Sequence, residues 1–414
     1  MAKPHIKKHK AMPAKPQQRK PRILWANAFC LLDTSSGASI SAREMLRQLA
    51  FKGYDVAVVG ATVFDSDKGI SRFPENWDKA ASEKNKIVQV VDSPLEHKLL
   101  VTKSSKRSEM TSLEEDRWYS LYVQTLDAFK PDLVFFYGGQ TLDLLISDEA
   151  RQRGIPSVAY LVNGNYSGKR WYRDVSLIIT DSQATADFYE RQEGIKPVPV
   201  GTFIEPGTVR AIEHTRKNLL FINPSLEKGA GIVIQLAMLL EKKRADIQFE
   251  VVESRGNWHS LLQQITSYNG ASPREQLDNV LLTPNTNDMR PIYGRARLLL
   301  APSLWWESGS RVLAEAMLNA VPAIVTDRGG SPEMIGNGGM KIQLPEACHE
   351  KPYTSLPKLA LLQPLVDRII QLYDDEVFYN DYVARARHVG ETLHNMANST
   401  QRLIQAFHPL IKNK

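Results

Sequence analysis

Short apolar runs alternate with helical patterns along most of this chain. In the first half, six runs have the length and composition of buried β-strands: residues 23–25, 56–59, 87–91, 133–137, 158–161 and 177–180. Residues 38–52 carry apolar side chains at the spacing of a helix that covers a sheet, and residues 113–129 repeat that pattern up to Pro131. This alternation predicts an α/β domain with a parallel, doubly wound sheet. Between residues 62 and 111 the composition is polar, the strand at 87–91 is expected to stand alone, and residues 103–107 are expected to form an exposed loop.

The same pattern restarts in the second half of the chain. Strands are predicted at residues 219–222, 249–252, 280–282, 298–301 and 323–326, with helices from about residue 365 to the end. A length of 414 residues fits two such domains better than one. We predict a first domain at residues 23–205, a linker at 206–218, a second domain at 219–390, and a final helix at 391–414 that packs back toward the first domain. Two such domains leave a central cleft at the carboxyl ends of their strands, where ligands of these sheets bind.

The positive net charge of +6 belongs to a short N-terminal tail. Residues 1–22 contain eight lysines or arginines and no acid, which leaves 44 basic and 46 acidic side chains, or −2, for the rest. The tail is rich in proline and glutamine and has no apolar stretch, so we expect it to be disordered and not to be a secretory signal. The tail is either a solubilising extension or a segment attracted to anionic membrane lipid or to nucleic acid. Of these two partners we expect peripheral contact with a membrane rather than nucleic acid.

The two cysteines, Cys30 and Cys348, lie far apart and form no CxxC pair. A disulfide framework or a cysteine zinc site is therefore not expected. No run approaches the roughly 18 apolar residues that a membrane-spanning helix needs. These features favour a cytoplasmic protein, with attachment to the periphery of the inner membrane as the alternative.

Residues 298–339 carry the most informative pattern. A buried strand is followed by Glu307, by the small residues Ser308, Gly309 and Ser310, and by a helix that carries Arg311 and Glu315. Small residues at a helix start let a ligand reach the free backbone N–H groups, where the helix dipole favours an anion. Two carboxylates flanking a phosphate site suit a ligand with hydroxyls on both sides of its phosphates, such as a nucleoside-diphosphate sugar.

Here the sequence resembles a known family. The run WWESGSRVLAEAM, followed by VPAIVT and GGSPE, resembles the E-x7-E signature of the group 1 glycosyltransferases, family 4 in the usual classification. FINPSLEKG resembles the first strand and phosphate loop of the family's C-terminal domain. PDLV, LIITDS and SSGA resemble segments of its N-terminal domain. The resemblance covers roughly residues 21–400 and implies the GT-B fold, in which two Rossmann-like domains face a cleft.

The resemblance also implies roles for individual residues. Glu307 matches the glutamate near the donor sugar and the reacting carbon, Lys228 matches the lysine that pairs with the diphosphate, and Arg311 is expected to add charge there; these three are the catalytic candidates. The donor-binding candidates are Glu315, expected on the ribose hydroxyls, together with Gly309, Ser310, Gly37, Asn163 and Gly330.

Three positions depart from the family pattern. The family commonly has an arginine shortly after the strand that precedes the lysine, where this chain has Pro224 and Ser225. Arg311 is the candidate replacement for that charge. Ser310 replaces the second glycine at the helix start. Asn163 stands where a histidine is frequent, and an amide cannot act as a general base near neutral pH.

The mechanism that the resemblance implies tolerates the loss of that base. In retaining members the departing diphosphate takes the acceptor proton, so the enzyme has to position both substrates and stabilise negative charge. No metal or other cofactor is expected, because cations and a helix start would do this work on a UDP- or GDP-linked sugar. Asp65–Ser66–Asp67 mimics the DxD metal motif of another glycosyltransferase class, but no further acid or histidine is arranged around it.

We therefore predict a retaining hexosyltransferase with a nucleotide-sugar donor and an acceptor that is a glycan, a lipid-linked sugar or a small molecule. Two alternatives remain open: a sugar-nucleotide epimerase of the same fold, and a non-catalytic subunit that binds a nucleotide sugar. A Rossmann oxidoreductase is disfavoured because no GxGxxG run follows an early strand. The sequence identifies neither the donor sugar, its base nor the acceptor.

Overall fold

The structure, a computed structural model, describes residues 19–73, 86–267 and 272–412. These residues form two α/β domains, each built on one sheet. The two sheets face a cleft, so the predicted fold class is confirmed. Residues 1–18 of the predicted basic tail lie outside the described residues. Among the described residues, no helix is both long and apolar enough to cross a membrane.

The N-terminal sheet has eight strands in the order β3-β4-β2-β1-β5-β6-β7-β8. Their bounds are Arg22–Ala26 (β1), Asp55–Ala61 (β2), Ile87–Asp92 (β3), Leu95–Leu100 (β4), Leu133–Tyr137 (β5), Ser157–Leu161 (β6), Leu177–Thr180 (β7) and Val198–Pro199 (β8). All neighbours are parallel except β3 and β4, which are antiparallel. The prediction that the strand near Ile87 stands alone is therefore wrong. Its partner β4 was missed because Glu96 and Lys98 are exposed between buried residues, so the strand is not an apolar run.

Helices cover both faces of this sheet. The N-terminal domain has α1 (Gly37–Phe51), α2 (Ser112–Phe129), α3 (Thr141–Gln152) and α4 (Gln183–Glu193). The side chain of Ser36 caps α1 by accepting from the N–H of Ser39, and Thr111 and Glu114 form a capping box at α2. Alternate residues of β1 enter different cores: Leu24 packs with the α2 side and Trp25 with the α1 side. The sheet is thereby buried on both faces, as its continuous apolar strands require.

The C-terminal sheet is fully parallel, in the order β11-β10-β9-β12-β13-β14. Its strands are Asn218–Ile222 (β9), Phe249–Val252 (β10), Val280–Thr283 (β11), Ala296–Ala301 (β12), Ala323–Thr326 (β13) and Gly339–Ile342 (β14). The remaining helices are Pro206–Val209 (α5), Ala230–Lys243 (α6), Trp258–Thr266 (α7), Arg290–Arg295 (α8), Arg311–Leu318 (α9), Ser331–Ile335 (α10), Leu359–Asp374 (α11), Glu376–Thr392 (α12) and Met396–Lys412 (α13).

The chain crosses between the domains twice. The segment predicted as a linker contains the short helix α5 and leads directly into β9. At the far end of the chain, α13 returns to the first domain, where Leu403 and Phe407 are fully buried. The ring of Phe407 meets that of Phe135 edge-on, with centroids 5.4 Å apart. The last helix therefore completes the core on the α1 side of the N-terminal sheet.

Candidate active site between the two domains

A cavity of about 640 Å³ lies between the domains. Its walls are the loops that follow β1, β5, β6 and β7 on one side and β9, β10 and β12 on the other. These are the carboxyl ends of parallel strands, where the fold was expected to bind its ligand. Most of the predicted site residues line the cavity, namely Gly37, Asn163, Lys228, Glu307, Gly309, Ser310 and Arg311.

Glu307 lies in the loop between β12 and α9, and its side chain is largely buried. Its carboxylate accepts a hydrogen bond from the ammonium of Lys228 and another, of 2.9 Å, from the hydroxyl of Ser303. Burial by itself would raise the pKa of Glu307, but the charge of Lys228 outweighs it and holds the pKa below the usual value. Glu307 is therefore an ionised, positioned carboxylate at the centre of the cleft.

Lys228 is held by the loop between β9 and α6. Gly229, the next residue, has φ of +81°, and a Cβ there would lie 2.1 Å from the carbonyl oxygen of Pro302. Only glycine fits that conformation and that contact. The ammonium of Lys228 lies 5.0 Å from the ring centre of Trp305, at cation–π distance. The lysine is thus fixed between a carboxylate and an aromatic ring and faces the cavity.

The start of α9 presents backbone N–H groups to the same space. Gly309, Ser310, Arg311 and Val312 all line the cavity, and the Ser310 side chain makes no cap hydrogen bond. The first N–H groups of a helix have no partners within it and carry the positive end of its dipole. With Lys228 nearby, this part of the cavity is suited to an anion.

Arg311 and Glu315 form an ion pair of 3.1 Å, one turn apart on α9. Arg311 also donates to the carbonyl oxygen of Phe203 at 3.0 Å, and Tyr293 donates to the other carboxylate oxygen of Glu315 at 2.9 Å. Glu315 lies behind Arg311 and outside the cavity wall. Arg311 reaches the opposite domain as well, since a Cβ on Gly37 would lie 3.7 Å from its Cδ.

Gly330 and Asn163 both act on the backbone around Glu307. The N–H of Gly330 donates to the carbonyl of Glu307 at 2.7 Å, and a Cβ on Gly330 would lie 2.0 Å from the carbonyl oxygen of Ser308. Gly330 therefore supports the loop from behind and does not line the cavity, in contrast to its predicted contact with donor. Asn163 lines the cavity and forms an isolated antiparallel bridge with Glu307 across the domain boundary.

Asp181 follows β7 and was given no role from sequence. It is 6% exposed, and its carboxylate accepts from the hydroxyl of Tyr160 at 2.5 Å. Burial raises the pKa of Asp181 to about 7, although hydrogen bonds from Tyr160 and Ser308 oppose the rise. A Cβ on Gly309 would lie 2.3 Å from the Cβ of Asp181, so the two domains touch here. An aspartate at the carboxyl end of a parallel strand was the signal that could have identified it.

Arg255, from the loop after β10, is a second cavity residue that sequence reasoning missed. Its guanidinium lies 3.5 Å from the carboxylate of Asp65 in the other domain. Arg255 is thus another cation near the position where Pro224 and Ser225 replace an expected arginine. No group of three or more potential metal ligands occurs within the described parts of the chain.

Trp305 and Trp306 are both half-buried. Trp305 lines the cavity above Lys228. Trp306 crosses to the other domain, where its ring lies 4.2 Å from that of Phe188 and its Nε1 donates to Thr185 at 3.1 Å. Trp305 thus forms part of the cavity wall, and Trp306 links the two domains.

Comparisons with known proteins agree with this geometry. Residues 217–351 match the family model described as glycosyl transferases group 1. Spore coat protein SA of Bacillus subtilis is 27% identical over 128 residues, which is 30% of this chain and 34% of that protein. This chain therefore matches about a third of the length of that curated relative.

Solved structures resemble nearly the whole chain. A glycosyltransferase from Rickettsia africae has a TM-score of 0.66 at 13% identity, over 95% of this chain and 100% of that one. Sucrose-phosphate synthase from Thermosynechococcus elongatus has a TM-score of 0.69 at 13% identity, over 96% of this chain and 100% of that one. Anabaena HepE in complex with UDP-glucose has a TM-score of 0.63 at 14% identity, over 94% of this chain and 99% of that one. At these identities the likeness shows a shared fold.

Proposed function

From the premise that the chain has the GT-B fold and carries a group 1 glycosyl transferase domain at residues 217–351, we propose that it transfers a hexose from a nucleoside-diphosphate sugar to an acceptor hydroxyl, with retention of anomeric configuration. The observation that carries the proposal is the convergence of Glu307, Lys228, Arg311 and the start of α9 on one cavity between the domains. A buried carboxylate beside two cations and a helix start is the equipment that an anionic leaving group on a sugar requires.

The donor is oriented by charge. Its diphosphate lies at the start of α9, where Lys228 and Arg311 also present positive charge to the cavity. The hexose lies toward Glu307, and the ribose lies toward Glu315. Because Glu315 lies outside the cavity wall and is bonded to Arg311 and Tyr293, it can accept from ribose hydroxyls only if Arg311 moves aside.

Chemistry at the anomeric carbon needs no protein base. The bond from that carbon to the diphosphate oxygen breaks, the bond to the acceptor oxygen forms on the same face, and the acceptor proton passes to a phosphate oxygen. Lys228, Arg311 and the helix dipole stabilise the negative charge that develops on the diphosphate. Asn163, which cannot take a proton near neutral pH, is compatible with this path. We propose that no metal is needed, because Lys228, Arg311 and the helix dipole supply the positive charge that a metal ion would otherwise provide.

Two solved relatives favour uridine over guanosine in the donor. Anabaena HepE is seen with UDP and with UDP-glucose, and the pneumococcal transferase GtfA is seen with UDP and GlcNAc. These contents belong to those proteins and support a UDP-sugar here by likeness of fold. The predicted cytoplasmic location and membrane contact through the basic tail remain predictions, since residues 1–18 lie outside the described part of the chain.

A binding screen tests the proposal. The purified protein is mixed with UDP- and GDP-sugars in excess EDTA, and thermal stability and release of nucleoside diphosphate are both followed. A ligand at 100 times its Kd stabilises by about 2.7 kcal/mol, a shift of roughly a few degrees for domains of this size. We expect one donor to stabilise the protein and to be hydrolysed slowly.

Two variants link that response to the site. Lys228→Met should lower the release rate by about 10²–10³-fold, and Glu307→Gln should lower it in the same direction. Lys196→Met and Glu190→Gln, which alter an exposed ion pair outside the cavity, are the matched controls. Stabilisation by a nucleotide sugar without any turnover would favour the non-catalytic subunit, and no response to any nucleotide sugar would exclude the transferase.

A further inference from the structure

The two walls of the cavity differ in charge. The C-terminal domain contributes the cations Lys228, Arg255 and Arg311 to the lining, and Glu307 is the one carboxylate among its described lining residues. The N-terminal domain contributes the carboxyl groups of Asp65, Asp143 and Asp181, and no lysine, arginine or histidine occurs among the described residues of that wall. Phosphate groups of a donor therefore fit one wall only. The opposite wall has to hold the acceptor, and its chemistry limits what the acceptor can be.

Asp143 is a deeply buried carboxyl group of the acceptor wall. It lies in the first turn of α3 and is 3% exposed. One carboxylate oxygen accepts from the N–H of Gln140 at 3.0 Å, and the other accepts from the amide of Asn27 at 3.3 Å. Gly138 has φ of +109°, and a Cβ there would lie 2.3 Å from the carboxylate, so only glycine leaves room for Asp143.

The surroundings of Asp143 are poor in free positive charge. Burial raises its pKa to about 7, with Arg107 as the cation that opposes the rise. Arg107 is itself paired with Glu115 at 2.8 Å. Among the described residues Asp143 has no ion-pair partner, and sugar hydroxyls are donors that suit its carboxyl oxygens.

Two aromatic residues adjoin this carboxyl group. Tyr166 and Trp171 both line the cavity, with ring centroids 5.3 Å apart. Trp171 is 5% exposed, and its indole N–H has no hydrogen-bond partner among the described residues. The two rings supply apolar surface at this end of the cavity, which suits the C–H faces of a sugar ring.

We propose that the acceptor is an uncharged sugar ring, bound on the N-terminal wall by Asp143, Tyr166 and Trp171. This inference rests on the proposed function and gives its acceptor a chemical class. A phosphate or diphosphate next to the reacting hydroxyl would find no cation among the described residues of that wall, and the ionised fraction of Asp143 and Asp181 would repel it. Of the acceptors left open by sequence, a neutral saccharide is favoured over a sugar linked to a lipid diphosphate.

Acceptor-dependent turnover tests the proposal. With the donor found by screening, nucleoside diphosphate release is measured with neutral hexosides and short oligosaccharides, and with the 6-phosphates and amino derivatives of the same sugars at constant ionic strength. A neutral glycolipid in detergent micelles is compared with a soluble glycoside of the same sugar. This comparison shows whether the protein prefers a soluble acceptor or one carried by a lipid. We expect neutral sugars to raise release several-fold above hydrolysis and their phosphates to leave it unchanged. Stronger stimulation by the phosphates or by the amino sugars would overturn the proposal.

Two variants connect the effect to the wall. Asp143→Asn and Trp171→Phe should each raise the KM for the neutral acceptor by about tenfold, the equivalent of roughly 1.4 kcal/mol, with each rate normalised to that variant's own donor hydrolysis. Asp148→Asn, on the exposed side of the same helix, is the control. Unchanged acceptor KM in both variants would remove these residues from the acceptor site. Failure of the proposed function differs from both results, because the wild-type protein would then not hydrolyse any donor.

Discussion

Glu333 of the C-terminal domain accepts a hydrogen bond of 2.9 Å from the backbone N–H of Gln183, the first residue of α4 in the N-terminal domain. Its second carboxylate oxygen accepts from the next N–H, that of Ala184, also at 2.9 Å. A carboxylate at a helix start is favoured both by the unpaired N–H groups and by the dipole. Since the carboxylate and the helix belong to different domains, this contact holds the cleft closed.

Replacing Glu333 should open that cleft. Glu333→Ala removes both hydrogen bonds, each worth about 1.5–3 kcal/mol when one partner is charged. We expect a larger radius of gyration in small-angle scattering and a roughly tenfold higher donor KM. Glu346→Ala, which removes an exposed carboxylate of the same domain, serves as the control. Unchanged scattering and kinetics in Glu333→Ala would show that the contact does not govern closure.

Gly309 should tolerate no side chain. A Cβ there would meet Asp181 at 2.3 Å, so Gly309→Ala has to push the domains apart or displace the start of α9. We expect kcat/KM for transfer to fall by at least about tenfold while the melting temperature changes little. Gly207→Ala is the control, because a Cβ at that position meets nothing nearer than 3.8 Å. Full activity in Gly309→Ala would contradict the closed geometry described here.

Asp181 should make stability depend on pH. Burial raises its pKa to about 7 in the folded protein, above the value of about 3.9 expected when unfolded. A carboxyl group whose folded pKa is raised favours the folded state below its unfolded pKa. That contribution is lost as pH rises toward 7. The melting temperature of Asp181→Asn relative to wild type should therefore increase between pH 5 and pH 8. A difference that stays constant over this range would mean that Asp181 does not titrate there.

Arg311 should contribute to donor affinity in spite of its ion pair with Glu315. Arg311→Met removes a guanidinium from the cavity wall, and the loss of its charged hydrogen bonds to a diphosphate should raise the Kd for the nucleoside diphosphate by roughly tenfold or more. Isothermal titration measures this directly, with Arg385→Met in an exposed ion pair as the control. An unchanged Kd would assign the missing positive charge to Arg255 and leave Arg311 a structural role.

The sequence predicted the fold and the centre of the site because both rest on local patterns. Apolar runs mark parallel buried strands, and Glu307, Gly309 and Arg311 lie in one short segment after a strand. Lys228 was identified from the family resemblance, in a loop that follows β9. Positions that depend on a single segment could thus be predicted from the sequence, while the roles of these residues stay predictions.

What could not be predicted depends on how the domains meet. Asp181 and Gly309 are 128 positions apart, and their contact exists only in the closed arrangement. Gly330 was named as a donor-binding candidate, yet its N–H is bonded to the carbonyl of Glu307 and its α-carbon lies against Ser308. Strand β4 was missed for a different reason, since its exposed charged residues hide the apolar alternation.

The most direct test of the central claim is proton NMR of the complete reaction. The protein is incubated in EDTA with an α-configured nucleotide sugar and a neutral saccharide, and the anomeric signals are followed over time. We predict an α-linked product that appears in step with free nucleoside diphosphate, and loss of both in Lys228→Met. A β-linked product would contradict retention. Release of an epimerised free sugar without transfer would contradict the glycosyltransferase itself.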